Sequence, residues 1–198
     1  MPEIPIVPAG YPRRNNAITR AFGRTLMRLS GWRFEGTMPD VPKVIVAVAP
    51  HTSNWDFVVG VMALLALDIR IRFFGKHTLF TWPFGIFMRA LGGIAVDRTS
   101  ANGVVGGIVN AFNAADRMIF ALAPEGTRAL NKGFKTGFLH IAHGAKVPIC
   151  LTYFDFANKV VCFGKIVETT GDTEADLADI VGYFRPVQGH KQKDWQRL

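Results

Sequence analysis

Apolar and polar positions along the chain follow two periods, and the switches between them outline an α/β protein. A β-branched apolar run at 44–48 and apolar runs at 118–122 and 148–156 predict buried strands, with shorter strands at 70–74 and 94–96. Helical spacing predicts helices over 54–67, 84–91, 102–115, 136–145 and 174–184, and 159–167 predicts a hairpin strand or a sheet edge. Ahead of these, 15–32 carries Ile18, Phe22, Leu26, Met27 and Leu29 together with Arg20, Arg24 and Arg28 spaced four apart. That pattern predicts an amphipathic helix with a basic stripe, suited either to packing on the domain or to lying on a membrane surface.

The resulting expectation is one α/β domain, built on a mixed, largely parallel sheet flanked by helices and preceded by an N-terminal amphipathic helix. Residues 1–35 form the N-terminal segment, irregular over the Pro-rich 1–14, followed by the domain over 36–188 and a polar, frayed tail over 189–198. In such sheets ligands bind beyond the strand ends, so the strand-to-helix loops are where chemistry is expected.

Composition narrows the partners. A 198-residue chain with 49% hydrophobic and 19% charged residues holds a full core, which excludes disorder. A formal net charge of +8 and a pI near 9.9 point to an anionic partner. The positive charges are scattered, with no dense Lys/Arg run and no zinc-finger spacing, which argues against nucleic acid and leaves anionic lipid headgroups or an acidic carrier protein. Cys150 and Cys162 lie in apolar runs without redox or zinc spacing and read as core residues in a reduced compartment. The Pro-rich amino terminus lacks the apolar core of a secretory signal. The longest apolar stretch, 57–67, is about half of what a membrane span needs, so any work on lipid is expected at the surface.

Three short stretches carry the candidate chemistry. His51 leaves the 44–48 strand and Asp56 follows five positions later, in the first helical turn. A carboxylate there can accept one ring N–H and turn the other nitrogen toward a substrate hydroxyl as a base, with no enzyme serine required. The same spacing makes Ser53-x-x-Asp56 a helix capping box, so Asp56 has a purely structural use as well. Pro124-Glu125-Gly126-Thr127-Arg128 follows another buried strand. Gly126 permits a sharp turn or close ligand approach, and Arg128 offers a planar fork for phosphate, although an exposed turn with a Glu–Arg pair also fits. Gly92 and Gly93 precede a short strand that ends in Asp97-Arg98, where Arg98 either adds a phosphate contact or pairs with Asp97.

In this order the stretches resemble the four motif blocks of the glycerolipid (lysophospholipid) acyltransferase family, whose best-known members are 1-acylglycerol-3-phosphate O-acyltransferases. His51, Ser53 and Asp56 match its His-x-x-x-x-Asp block, 92–98 the Gly-rich block ending in Asp-Arg, and 124–128 the Pro-Glu-Gly-Thr-Arg block, followed by Phe134-Lys135-x-Gly137. Val147-Pro148-Ile149 matches the fourth, so the resemblance runs over roughly 43 to 155. Pro50, Ala123 and Ala95 depart from the residues frequent in the family, and Ala95 bears on the identity of the acceptor.

The resemblance implies a transfer of a fatty acyl group from acyl-CoA or acyl-carrier protein to a hydroxyl of a lysophosphatidic-acid-like lysolipid, with no cofactor and no metal. His51 would deprotonate the hydroxyl and Asp56 would orient His51. Arg128 and Arg98, with Gly126 and Thr127 in the same motif, would bind the anionic head, with Lys76 as a further cation. Glu125 would hold glycerol hydroxyls or the loop itself. The implied partners are the lysolipid, the acyl donor and a membrane surface, and the implied place is cytoplasmic, peripheral on the inner face of the cell membrane. A lyso-aminolipid or glycolipid acceptor, or a non-catalytic lipid-binding module, are the alternatives. His77 has no acid at a helpful spacing, and His140 and His143 lack a third ligand. Trp82, Phe84, Ile86, Phe87 and Met88 form an apolar-aromatic patch for a membrane interface, an acyl groove or the core.

Overall fold

Alternation within the strands divides the core into two. Strand β2 (Lys43–Val48) points Val44 into one apolar cluster and Ile45 and Ala47 into another. Strands β5 (Met118–Leu122) and β6 (Ile149–Asp155) behave likewise: Ile119 and Cys150 join the first cluster, and Phe120, Ile149 and Leu151 the second. A strand whose successive side chains are both buried needs cover on both faces, as parallel sheets require. The computed structural model describes residues 4–96, 101–127 and 133–191.

Four further strands complete one sheet: β1 (Arg33–Gly36), β3 (Arg72–Lys76), β4 (Gly93–Val96) and β7 (Val160–Val167), in the order β1-β7-β6-β2-β5-β3-β4. Strands β2 to β6 are mutually parallel, β7 returns antiparallel to β6, and β1 pairs parallel to β7 at the edge. Helices α1 (Ala17–Ser30), α2 (Trp55–Ala66) and α3 (Phe84–Ala90) flank the first cluster, which takes in Met27, Val59, Ala63 and, just past α3, Leu91. Helices α4 (Ala101–Ala114), α5 (Gly137–Ala145) and α6 (Thr173–Phe184) supply Phe112, Leu139 and Phe184 to the second. The helices linking β2 to β3, β4 to β5 and β5 to β6 therefore cover opposite faces as the chain reverses direction across the sheet.

The observed elements match the predicted ones closely, with three differences. The third strand starts at Arg72, because the preceding residues bond to the N-terminal arm: Arg70 N–H donates to Pro12 O at 2.8 Å and Arg13 bridges Ile69. Strand β1 was not read from the sequence, since its four residues bury only Phe34. It also covers the outer side of β7, so the 159–167 segment is a hairpin strand inside the sheet rather than its edge. Finally, the N-terminal segment is part of the core. Tyr11, Met27 and Trp32 are buried, the expected boundary after residue 35 falls within β1, and the Arg13 guanidinium donates to Val7 O and Leu67 O.

Helix α1 starts at an Asn16 side chain that accepts from Thr19 N–H, and ends at Gly31 in the left-handed conformation. Gly23 faces α2 so closely that a Cβ there would lie 2.5 Å from Ala66 N. Gly23→Val is therefore expected to force the helices apart. Overpacking costs about 1–3 kcal/mol, more than the few tenths that valine adds to helix propensity, so the urea midpoint should fall. Burial also pushes the Cys150 thiol up to about 11. At about pH 8 its thiolate fraction is then about a thousandth. A thiol reagent should leave Cys150 unmodified in the native protein and modify it after unfolding, as read by peptide mass.

Candidate active site

The site starts where β2 ends. Ala49 N–H bonds Thr152 O of β6 at 3.1 Å, which carries the strand's register one residue past its end and aims the following loop off the sheet. Asp56, in the first turn of α2, has its carboxylate folded back over that loop. Its Oδ2 accepts from Thr52 N–H (2.8 Å), from Ser53 N–H (2.9 Å) and from His51 Nδ1 (3.0 Å), while Ser53 Oγ accepts from Trp55 N–H. Asp56 thus orients His51 and makes one half of the expected capping box, accepting from Ser53 N–H; the other half is not formed, because Asn54 is the N-cap of α2 and Ser53 Oγ takes the Trp55 N–H instead. A helix N-terminus also favours a carboxylate at this position.

The chemical consequence concerns the imidazole. An ionised carboxylate only accepts, so Nδ1 carries the proton and Nε2 presents a lone pair. The Asp56 side chain is 2% exposed and that of His51 27%, so the acid is shielded and the imidazole reaches solvent. Asp56 Oδ1 is buried and has no hydrogen-bond partner among the described residues. Compensation of the charge is concentrated on Oδ2, and a proton gained by His51 would strengthen it.

The second motif meets the first because β5 lies beside β2, with Ala47 opposite Leu122. Glu125, in the loop after β5, is 1% exposed, and both its oxygens lie 3.1 Å from His51 N, which donates to them. Its carboxylate grips the main chain of His51, so one buried acid holds the ring and another the backbone. Gly126 takes a left-handed φ of 63°, and its N–H closes the turn on Ala123 O at 3.0 Å. Thr127 is exposed on the same turn. Lys135, which the sequence showed only as part of a motif, lays its aliphatic chain along Gly126, where a Cβ would meet it at 3.3 Å. Lys135 N–H also bonds Pro124 O, which brings a cation to the turn.

His51, Asp56, Glu125 and Gly126 are thus gathered at one edge of the sheet. Lys76 is the last residue of β3 at that same edge. Arg98 and Arg128 lie outside the described residues. The structure adds contacts the sequence did not suggest. Lys191 N–H donates to the buried Thr52 Oγ1 at 3.0 Å, a Cβ on Gly189 would come 2.8 Å from that same oxygen, and His190 stands edge-on to Phe156. Residues 189–191, expected to fray, are packed on the His51 loop. No local pattern marks this contact, which joins positions 139 apart. Beside the loop, a largely apolar cavity of about 240 Å³ runs along α2 from Trp55 to Met62, bounded by Trp32 and Phe156, with Lys159 and His190 among its lining. Among the described residues, no three His, Cys, Asp or Glu side chains converge as a metal site.

A family model described as Acyltransferase matches residues 33–153. The crystal structure of the 1-acyl-sn-glycerophosphate (LPA) acyltransferase, PlsC, from Thermotoga maritima is similar in fold. Its TM-score is 0.55 at 19% identity, covering 85% of this chain and 79% of that one. No curated protein matches the sequence.

The grip on the His51 main chain is open to a stability test. Glu125→Ala removes the carboxylate that accepts from the His51 N–H, and leaving a buried donor unsatisfied costs about 1–3 kcal/mol. Glu125→Gln keeps an acceptor oxygen and should retain most of that stability, a difference that urea unfolding of the two variants would resolve.

Proposed function

Because this chain belongs to the Acyltransferase family, we propose that it moves a fatty acyl group from acyl-CoA or acyl-carrier protein onto a hydroxyl of a lysophosphatidic-acid-like lysolipid. One observation carries this reading: His51 Nδ1 lies 3.0 Å from the buried Asp56 carboxylate, which leaves Nε2 free to accept a proton.

In the proposed reaction Nε2 takes the proton of the acceptor hydroxyl as its oxygen attacks the thioester carbonyl carbon. The tetrahedral intermediate collapses, the carbon–sulfur bond breaks, and the leaving thiolate takes the proton back from the imidazolium. Asp56 stabilises that imidazolium while it exists, and Glu125 keeps the His51 main chain still. The motif match assigns Arg128, Arg98, Thr127 and Lys76 to the anionic head, with Gly126 giving the close approach. The exposed Lys135 beside Gly126 adds a cation to that set. The chemistry needs neither metal nor cofactor beyond the two substrates. A bilayer-resident acceptor places the protein on a membrane surface, and the reduced-cysteine reading places that surface on the cytoplasmic side.

The test is release of free thiol from acyl-CoA or acyl-carrier protein in the presence of a panel of lysolipids, the lyso-aminolipid and glycolipid alternatives among them. Release should depend on a lysophosphatidic-acid-like acceptor. It should fall by about 10²–10⁴-fold in His51→Ala, the usual contribution of a general base. Undiminished turnover by that variant would overturn the assignment of the base.

A further inference from the structure

The chain keeps packing after helix α6 ends. Val187 N–H bonds Phe184 O at 2.9 Å, and Val187 packs against the second apolar cluster, on the α4–α5–α6 side of the sheet. Further on, His190 stands edge-on to Phe156 with ring centroids 4.9 Å apart. Phe156 packs against the first cluster, where Trp32 meets its ring at 5.1 Å. Segment 187–191 therefore crosses the edge of the sheet from one side to the other, and the His51 loop lies beneath the crossing.

The contacts made on the way fall on the two neighbours of His51. A Cβ on Gly189 would lie 2.8 Å from Thr52 Oγ1, 3.0 Å from Thr52 Cγ2 and 3.1 Å from Pro50 Cγ, so a residue without a side chain is what fits there. Lys191 N–H donates to Thr52 Oγ1 at 3.0 Å. Thr52 is left 4% exposed. Its own N–H makes a 2.8 Å bond to Asp56 Oδ2, the shortest of the three which that oxygen receives. The route from the segment to the imidazole is short and polar, running through the Lys191 main chain, Thr52 and Asp56 Oδ2 to His51 Nδ1.

A tail that only sealed the core would have no use for this route. Beyond Val187 the segment adds no residue to either apolar cluster, and Gln188, His190 and Lys191 are exposed. Its contacts hold Thr52 in place and cover it. A hydrogen bond kept from water is electrostatically stronger than an exposed one, so covering Thr52 tightens its hold on the carboxylate.

We propose that segment 187–191 is a positioning strap for His51: through Gly189 and the Lys191 main chain it holds Thr52 against Asp56 Oδ2, and so fixes the imidazole. The proposal rests on the reading of His51 as the base. It adds two positioning residues, Thr52 and Gly189, behind the Asp56–His51 pair.

Proton NMR of the full chain without substrate reads the His51 Nδ1–H resonance, identified by its loss in His51→Ala. Gly189→Val forces the segment off the loop, and Thr52→Val removes the acceptor while keeping the Thr52 N–H. Each should speed exchange of the Nδ1 proton with solvent by about tenfold or more. Each should also lower kcat for acyl transfer by about ten- to a hundredfold with the acceptor KM within about twofold, the mark of a displaced base rather than a lost substrate contact. Thr52→Ser, which keeps the acceptor, should recover most of what Thr52→Val loses in both readouts. A cooperative thermal transition shows that each variant is folded, and if Gly189→Val is not, the two Thr52 variants decide. Wild-type exchange in the folded variants overturns the strap, and so does a loss confined to KM. Failure of this proposal and failure of the function are separable. Strap-dependent exchange with no acyl transfer by wild type from any donor leaves the hold on the imidazole standing and removes the proposed reaction. Transfer that depends on His51 but is indifferent to the strap variants does the reverse.

Discussion

A single carboxylate oxygen receives three N–H groups at the edge of the sheet, and the geometry of the site depends on that convergence. Asp56 Oδ2 binds the main chain at Thr52 and Ser53 and the ring at His51, so the loop, the start of α2 and the imidazole orientation form one unit. A buried carboxylate is costly unless its charge is compensated. Here the compensation is supplied by the same groups that need to be positioned, and pulling any of them away would expose the cost of the charge. Rigidity of the loop and orientation of the imidazole therefore have one cause.

A second buried acid extends the arrangement across the sheet. Glu125 comes from the loop after β5 and holds the His51 main chain, so the two loops are fixed to each other as well as to their own strands. Adjacent parallel strands bring their exit loops to the same edge, and this is why motifs 74 positions apart meet. The segment at 189–191 adds a third contact, onto Thr52. In the proposed transfer the benefit is positional: a general base at His51 has to stay within hydrogen-bonding reach of the acceptor hydroxyl, and small displacements are expensive in rate.

The two sides of the sheet are also finished differently. One side is closed by α4, α5 and α6 with their apolar residues turned inward. The other carries α1 and α3, which keep an inward face for packing and an outward face of apolar and cationic side chains. An amphipathic helix normally has one apolar stripe directed at the core. In α1 the apolar residues are shared between two directions, with Gly23 and Met27 buried and Ile18, Phe22 and Leu29 exposed.

Local information settled a good deal. Periods of two and of 3.6 are properties of short windows, so the order of strands and helices and the two-sided burial of β2, β5 and β6 were readable before any contact was known. The approach of Asp56 to His51 was readable for the same reason, since five positions of a helix start decide it. Only the tertiary structure could place Glu125 under His51, add β1 outside β7, bring Lys135 along Gly126 and lay 189–191 over Thr52. Each of those joins segments whose proximity follows from strand order and from the packing of the whole chain, and no window of the sequence contains that. The direction of each apolar residue on α1 was undecided for a related reason: a helical repeat fixes which residues share a face, while the neighbours of the helix choose which face is covered.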